Sequence, residues 1–365
     1  MKKDLRITVF TAALLLSVGI ASGENIIKMN SKQNGAWVLS YFKGGSNSAE
    51  ENSLYLAYST DGLHWEELNG GRPVFTASCI GGSRIRDPFL FRKNDGTFIL
   101  IATDWTIYGT PEAVSPDYWG NPSPYLILAN SDDLITFTNV RRVKFALLSG
   151  QAAALRRRNG WKDMHCWAPE IFWDAAIRQY GVIWSGDGSL DGKNNINRTY
   201  INYTADFMHF SEPEVFFELK HNGLNVTEID ATMIQHDGKW YLFFKGEIDD
   251  AKDIQEAYSR SLLPGSFKIM YGGKYITRTT NQNKQQYTEG PFIIKAEDKG
   301  VWYLYADFYL QDGIFGCWKT DNLENPPEKW DLLSSCEYSF PSGVRHANTL
   351  CVTAEELEHL KNKLP

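Results

Sequence analysis

Apolar side chains fall in short runs, mostly aromatic or β-branched, and each run is cut off by Asp-Gly, Asn-Gly or Pro. Phe98-Ile99-Leu100-Ile101, Tyr180-Gly181-Val182-Ile183-Trp184 and Trp240-Tyr241-Leu242-Phe243-Phe244 are such runs. From Gly23 almost to the C-terminus no stretch sustains the spacing of an amphipathic helix, so the pattern predicts strands joined by tight turns. One helix is predicted at the C-terminal end, with Thr353 as cap, Glu356 completing a capping box, and Leu357 and Leu360 as its apolar stripe.

Two repeats organise these runs. In the first, an acidic residue beside Pro or a small residue leads through an apolar run and a turn into an aromatic strand. Its copies begin at Arg86-Asp87-Pro88-Phe89, Ala168-Pro169-Glu170-Ile171, Ile229-Asp230-Ala231-Thr232 and Glu289-Gly290-Pro291-Phe292. The second is a Ser/Thr-Asp turn followed by an aromatic residue, as in Ser59-Thr60-Asp61-Gly62-Leu63-His64-Trp65. Further copies start at Ser131-Asp132-Asp133 and Thr204-Ala205-Asp206, with a looser one from Thr320-Asp321 to Trp330. An N-terminal unit from Trp37 to Leu68 and units headed by Asp87, Glu170, Asp230 and Glu289 make five. A four-stranded unit cannot bury both faces alone, whereas units stacked radially share one core. The expected fold is all-β, a five-bladed β-propeller forming a single domain over residues 24–365, with a β-sandwich as the competing architecture.

Composition narrows the class of partner. The chain has a net charge of −7, 22% charged and 14% aromatic residues, and no basic run of five or more. Such a surface is a poor match for a phosphate backbone, where affinity comes from displaced counterions, so no nucleic-acid partner is expected. Lys2, Lys3 and Arg6 precede the apolar stretch Ile7 to Ile20, which closes in Ala21-Ser22-Gly23. This reads as a signal peptide over residues 1–23, too short to span a bilayer, which would send the protein to the periplasm or outside the cell with no membrane span left after its removal. Cys79, Cys166, Cys317, Cys336 and Cys351 include no CxxC pair and are expected to be buried free thiols.

In a propeller the innermost strands start at one mouth of the central channel, so equivalent repeat positions converge in space. The first repeat thereby predicts four carboxylates, Asp87, Glu170, Asp230 and Glu289, around one small cavity. Crowded carboxylates raise one another's pKa, which favours a protonated acid opposite an ionised base, as glycoside hydrolysis requires. The bland alternative is that each acidic residue satisfies turn amides.

Taken together and in order, Arg86-Asp87-Pro88, Trp167-Ala168-Pro169-Glu170, Glu228-Ile229-Asp230, Glu289-Gly290-Pro291 and Val344-Arg345-His346 resemble glycoside hydrolase family 43 over essentially the whole mature chain. The resemblance implies a five-bladed propeller that hydrolyses arabinose- or xylose-containing glycans with inversion. It makes Asp87 the general base, Asp230 the second aspartate that tunes and orients the acid, and Glu289 the general acid. Asp230-Ala231 departs from the family's commoner Asp-Pro. Glu170 would hydrogen-bond the sugar or brace a neighbour, and Arg345 would contact sugar hydroxyls or the carboxylates, with a plain ion pair as the alternative. His346 matches a histidine associated with a channel calcium ion in many members, although calcium prefers oxygen ligands and a histidine satisfied by hydrogen bonds is the alternative. No cofactor is needed for the proton transfers.

Among Trp105, Trp167, Trp173 and Trp184, the first two are the preferred stacking partners for sugar, against the general expectation that a Trp here packs a blade. The reading is an exo-acting α-L-arabinofuranosidase on an oligosaccharide or polysaccharide, with the loop from Tyr108 to Pro124 as a channel wall. β-Xylosidase and β-galactosidase are the alternatives within the family, and a non-catalytic sugar-binding propeller outside it. A sialidase reading, suggested by the Asp61 turn, lacks the arginine trio and tyrosine nucleophile that chemistry needs.

Overall fold

The computed structural model describes residues 34–44, 48–105, 123–146, 165–187, 196–281, 284–311 and 313–365. The export signal read at residues 1–23 and residues 108–122 of the expected wall loop lie outside them. Five four-stranded antiparallel sheets make up the described chain, with two small hairpins, Leu219–His221 with Leu224–Val226 and Thr279–Asn281 with Lys284–Gln286. The inner strands are Val344–Thr353 in blade one, Ile85–Arg92 in blade two, Trp167–Asp174 in blade three, Glu228–His236 in blade four and Glu289–Ala296 in blade five. Each touches the next and the last touches the first, closing a five-bladed propeller as the repeats predicted.

Blade one is built from both chain ends, because Val344–Thr353 pairs with Asn34–Lys43. The sequence unit Trp37 to Leu68 therefore lacks its own inner strand and borrows it from the C-terminus. Every blade interface holds its own apolar cluster. Val38, Leu56, Leu90 and Leu100 fill one, Ile99, Ile171 and Trp184 another, and Ile183, Leu242 and Phe244 a third. Phe243, Leu304 and Trp318 fill the fourth, and Leu39, Tyr305 and Phe292 the fifth. Strand Phe98–Asp104 is buried along its whole length because blades cover both its faces, whereas the outer edge strand Glu66–Glu67 is exposed and carries charges that discourage pairing with another edge.

The second repeat is the turn entering the outermost strand. Asp61 Oδ1 accepts from the N–H groups of Leu63 and His64 at 2.8 and 2.9 Å, and Ser59 Oγ accepts from Gly62 N–H at 2.9 Å. Asp133 and Asp206 do the same in blades two and three. The predicted helix is Ala354–Lys363, with the Thr353–Glu356 capping box present. Arg92 grips Glu356 through two hydrogen bonds of 2.6 and 2.7 Å and so fastens the helix to blade two. No helix among the described residues is long and apolar enough to cross a membrane. All five cysteines are free, but Cys79 and Cys336 are exposed rather than buried, since both lie in loops outside the blade interfaces.

Candidate active site

Each inner strand opens with a β-bulge, and one residue of each bulge has a left-handed backbone. These residues are Asp87, Ala168, Asp230, Gly290 and His346, with φ of 49°, 47°, 60°, 53° and 36°. Four of the five are not glycine, and such strain is held only where the surrounding fold dictates it. At Gly290 an added Cβ would lie 2.9 Å from His346 Cγ, so only glycine fits there. The bulge register corrects the sequence alignment of the four acidic residues. Asp87 and Asp230 are equivalent, but Glu289 stands one position before the bulge and Glu170 two positions after it.

Between neighbouring blades runs a second layer of contacts. The second-strand residue paired with the position before each bulge is Phe42, Thr103, Ser185, Lys245 or Asp307 in blades one to five. Each reaches the bulge region of the following blade. Thr103 Oγ1 accepts from Ala168 N–H at 2.9 Å, and Ser185 Oγ accepts from Asp230 N–H at 2.8 Å. Lys245 Nζ lies 3.1 Å from Glu289 Oε2, Asp307 pairs with Arg345, and the Phe42 ring lies 5.2 Å under the Arg86 guanidinium. Thr103 and Ser185 are uncharged and hold backbone, while the apolar Phe42 packs on a side chain. The two charged ones, Lys245 and Asp307, govern the electrostatics around Glu289.

Three of the predicted catalytic carboxyls meet around His346. Its Nδ1 lies 3.3 Å from Asp87 Oδ1 and 3.8 Å from Asp230 Oδ2. Asp87 Oδ2 also accepts from Thr103 Oγ1 at 2.6 Å and faces Ala168 N–H at 3.3 Å, so its carboxylate is held from blades one, two and three. Asp230 Oδ2 accepts from Gly290 N–H at 3.2 Å. Glu289 is gripped by Lys245 on one oxygen and by Arg345 Nη2, at 3.1 Å, on the other.

Burial raises the Asp230 carboxyl to about 6, with His346 opposing the shift and Glu289 and Asp87 adding to it. Burial would raise Glu289 as well, but Lys245 and Arg345 outweigh it and leave the group below the ordinary glutamate value. Asp307 is pushed by burial to about 7 despite Arg345. For His346, burial pulls the pKa down, and Asp87, Asp230, Glu289 and Asp307 more than reverse that, leaving it raised.

Of the other residues named from sequence, Arg345 forms ion pairs with Glu289 and Asp307. Glu170 lies apart from them: Oε2 accepts from Met233 N–H at 3.3 Å and Oε1 from Asn348, so it braces blades three, four and one. Burial raises it to about 7, opposed by hydrogen bonds from Thr232 and Asn348. Trp105 has the Arg86 guanidinium 3.9 Å over its ring, and Trp167 lies 4.1 Å from the His165 ring at the start of blade three. Trp184 is core, stacked on Tyr200 with Nε1 donating to Asn202 at 2.7 Å, and Trp173 packs on Tyr180. Among the described residues no three His, Cys, Asp or Glu side chains are arranged to hold a metal ion. His346 Nδ1 is turned to the carboxylates of Asp87 and Asp230, and calcium prefers oxygen ligands, so the histidine does not fit a calcium ion.

These shifts share a sign. Glu170 at about 7, Asp230 at about 6, Asp307 at about 7 and Glu228, raised by burial to about 8 against Thr199, all bind protons more tightly folded than unfolded. Their stabilisation is complete below the unfolded carboxyl pKa and is lost as pH rises through the folded values; His346, also raised, loses its share in the same direction. Thermal unfolding should therefore give a Tm about 5 °C or more higher at pH 5 than at pH 8. A Tm that is flat or rises over that interval would contradict these buried protonation states.

Lys245, Asp307 and Thr103 are site residues that sequence reasoning missed. The signal was available: each occupies the same register on a second strand, within Phe244-Lys245-Gly246, Ala306-Asp307-Phe308 and Ala102-Thr103-Asp104, where a polar residue interrupts or ends an apolar run.

A family model described as a probable glycosyl hydrolase domain related to family 43 matches residues 33–358. A curated alpha-L-arabinofuranosidase from Bifidobacterium longum subsp. longum is 26% identical over 246 residues, which is 63% of this chain and 21% of that protein. The chain thus spans about a fifth of that relative's length. Among solved structures, a thermostable family-43 glycoside hydrolase superposes with a TM-score of 0.53 at 12% identity, covering 85% of this chain and 97% of the other. An endo-1,4-beta-xylanase from Bacteroides thetaiotaomicron gives 0.51 at 11% identity, covering 76% and 81%. At these identities the structural matches show a shared fold, while the family model covers nearly the whole described chain. The chain belongs to the family 43-related glycosyl hydrolases.

Proposed function

We propose that the protein is an inverting, exo-acting glycoside hydrolase that removes terminal α-L-arabinofuranosyl groups from plant-type glycans. The observation that carries this reading is the meeting of Asp87, Asp230 and the cation-held Glu289 around His346, from blades that are separate in sequence. Asp87 acts as general base: its carboxylate, oriented by Thr103 and His346, takes a proton from the attacking water as the water oxygen bonds to the anomeric carbon. Glu289, protonated in the productive form, gives its proton to the glycosidic oxygen as that bond breaks. Asp230 and His346 interact electrostatically with both and tune the charge that each one feels. Exchange of one proton with solvent at each carboxyl resets the pair. The curated arabinofuranosidase relative supports the choice of sugar.

The test is a panel of 4-nitrophenyl α-L-arabinofuranoside, β-D-xyloside and β-D-galactoside, with the product anomer read by proton NMR in the first minutes. Fastest turnover is expected on the arabinofuranoside, with inverted product. Preference for either other sugar would replace the substrate assignment, retention would overturn the mechanism, and binding of glycans without any hydrolysis would make the protein a sugar-binding propeller.

A further inference from the structure

In blade five the second strand, Val301–Asp307, ends opposite Glu289, and the chain then turns at the same channel mouth before the third strand, Phe315–Thr320. Phe308 N–H donates to Ile314 O at 2.9 Å, closing that turn, and the Phe308 ring is buried beneath it. The side chains that follow are not buried in the same way. Leu310 is 67% exposed and Ile314 49%, both well beyond what a turn on a well-packed blade requires, and Tyr309 is half-buried. Tyr287, just before the inner strand of the same blade, sets its ring nearly parallel to Tyr309, with centroids 6.4 Å apart. In blade four the corresponding connection is only Asp249 and Asp250, so that blade adds little height on this side of the mouth.

One side chain links this apolar patch to the carboxyl that faces the leaving group. Lys245 Nζ is 3.1 Å from Glu289 Oε2 and 4.3 Å from the centroid of the Tyr309 ring. A general acid must touch the glycosidic oxygen, so the departing sugar is attached to the very atom that Glu289 protonates and begins within one ring's width of it. Sugar rings carry an apolar C–H face that packs on aromatic faces, and a partly buried tyrosine combines that face with a hydroxyl donor. Burial raises the Tyr309 phenol to about 12, with Lys245 opposing, so it stays protonated and able to donate.

We infer that Tyr309, flanked by Tyr287, Leu310 and Ile314, is the platform on which the departing saccharide stacks, giving the site a leaving-group subsite for a sugar ring on the blade-five side of the channel. This assignment rests on the hydrolase reading above and extends it to the part of the substrate beyond the scissile bond.

The experiment compares methyl α-L-arabinofuranoside, whose leaving group is too small to reach Tyr309, with an α-L-arabinofuranosyl-xylotriose; both have poor leaving groups, so demand on the acid is matched. Tyr309→Ala should lose about tenfold more kcat/KM on the xylotriose conjugate than on the methyl glycoside. Tyr309→Phe, which keeps the ring, should recover most of that loss, and Leu310→Ala should show a smaller one. Equal losses of Tyr309→Ala on both substrates, or Tyr309→Phe falling as far as Tyr309→Ala, would overturn the platform. Calorimetric binding of xylotriose separates the two claims. If the wild type hydrolyses neither substrate, the hydrolase reading fails, yet weaker xylotriose binding by Tyr309→Ala than by the wild type would still support the platform. Xylotriose binding that is absent or unaffected would remove it.

Discussion

Asp87→Asn should lower kcat/KM by about 10⁴-fold on every glycoside the wild type cleaves, whether the leaving group is activated or not. Asparagine has nearly the same shape, and its amide oxygen can still accept from Thr103 Oγ1 and Ala168 N–H, so the bulge and its left-handed backbone are retained. What it cannot do is take a proton from water. Removing this charge also takes away the carboxylate nearest His346, 3.3 Å from Nδ1, so the histidine pKa should fall, which an imidazole NMR titration can follow. Activity within tenfold of wild type, in a variant whose Tm and circular dichroism are preserved, would mean that Asp87 is not the base.

Glu289 should behave differently, and its neighbours make the prediction sharper. Glu289→Gln is expected to cost about 10³-fold on glycosides with poor leaving groups and far less on 4-nitrophenyl glycosides, where little acid help is needed. In the resting enzyme Lys245 and Arg345 keep this carboxyl on the ionised side, against the pull of burial. Under the proposed acid role the protonated, productive form is then a minority at neutral pH, and the alkaline limb of the kcat/KM profile should lie in the acid range. Removing one cation works in a definite direction. Lys245→Met leaves the carboxylate less stabilised, raises its pKa, and should move that limb to higher pH. An unmoved limb, or equal losses of Glu289→Gln on both kinds of substrate, would take the acid role away from Glu289. The aryl substrates show why the two effects need separating: the limb reports the proton on Glu289, while the leaving-group series reports whether that proton is used.

Much of this architecture was written in local pattern. Runs such as Phe98-Ile99-Leu100-Ile101, preceded by Asn94-Asp95-Gly96, specify strands and their turns because the preference of apolar and β-branched residues for strands and left-handed turn residues such as Gly96 act over only a few positions. Asp61, Asp133 and Asp206 were legible as turn formers, since each carboxylate accepts from the amides two and three residues on. Thr353 and Glu356 predicted the helix start for the same reason. The acidic heads of the first repeat were also visible, but their alignment was not. Sequence places Glu170 and Glu289 in step with Asp87, whereas a bulge inserts an extra residue and turns a one-residue offset into a different direction for the side chain. Glu170 accordingly lies further along its inner strand, bonded to Met233 of blade four and Asn348 of blade one, while Glu289 meets Lys245 and Arg345.

By itself, then, the amino-acid sequence determined the strand-rich repeats, the five units, the closing helix and the identity of the acidic residues that open the inner strands, because each depends on neighbours along the chain. Only the tertiary structure decided that Val344–Thr353 completes blade one and thereby brings His346 between Asp87 and Asp230. It alone also decided that Lys245 and Arg345 hold Glu289 ionised while burial holds Asp307 and Asp230 near neutrality. Charges interact through space and are strengthened by the exclusion of water, and neither the distance nor the dryness is set until the fifth blade closes on the first.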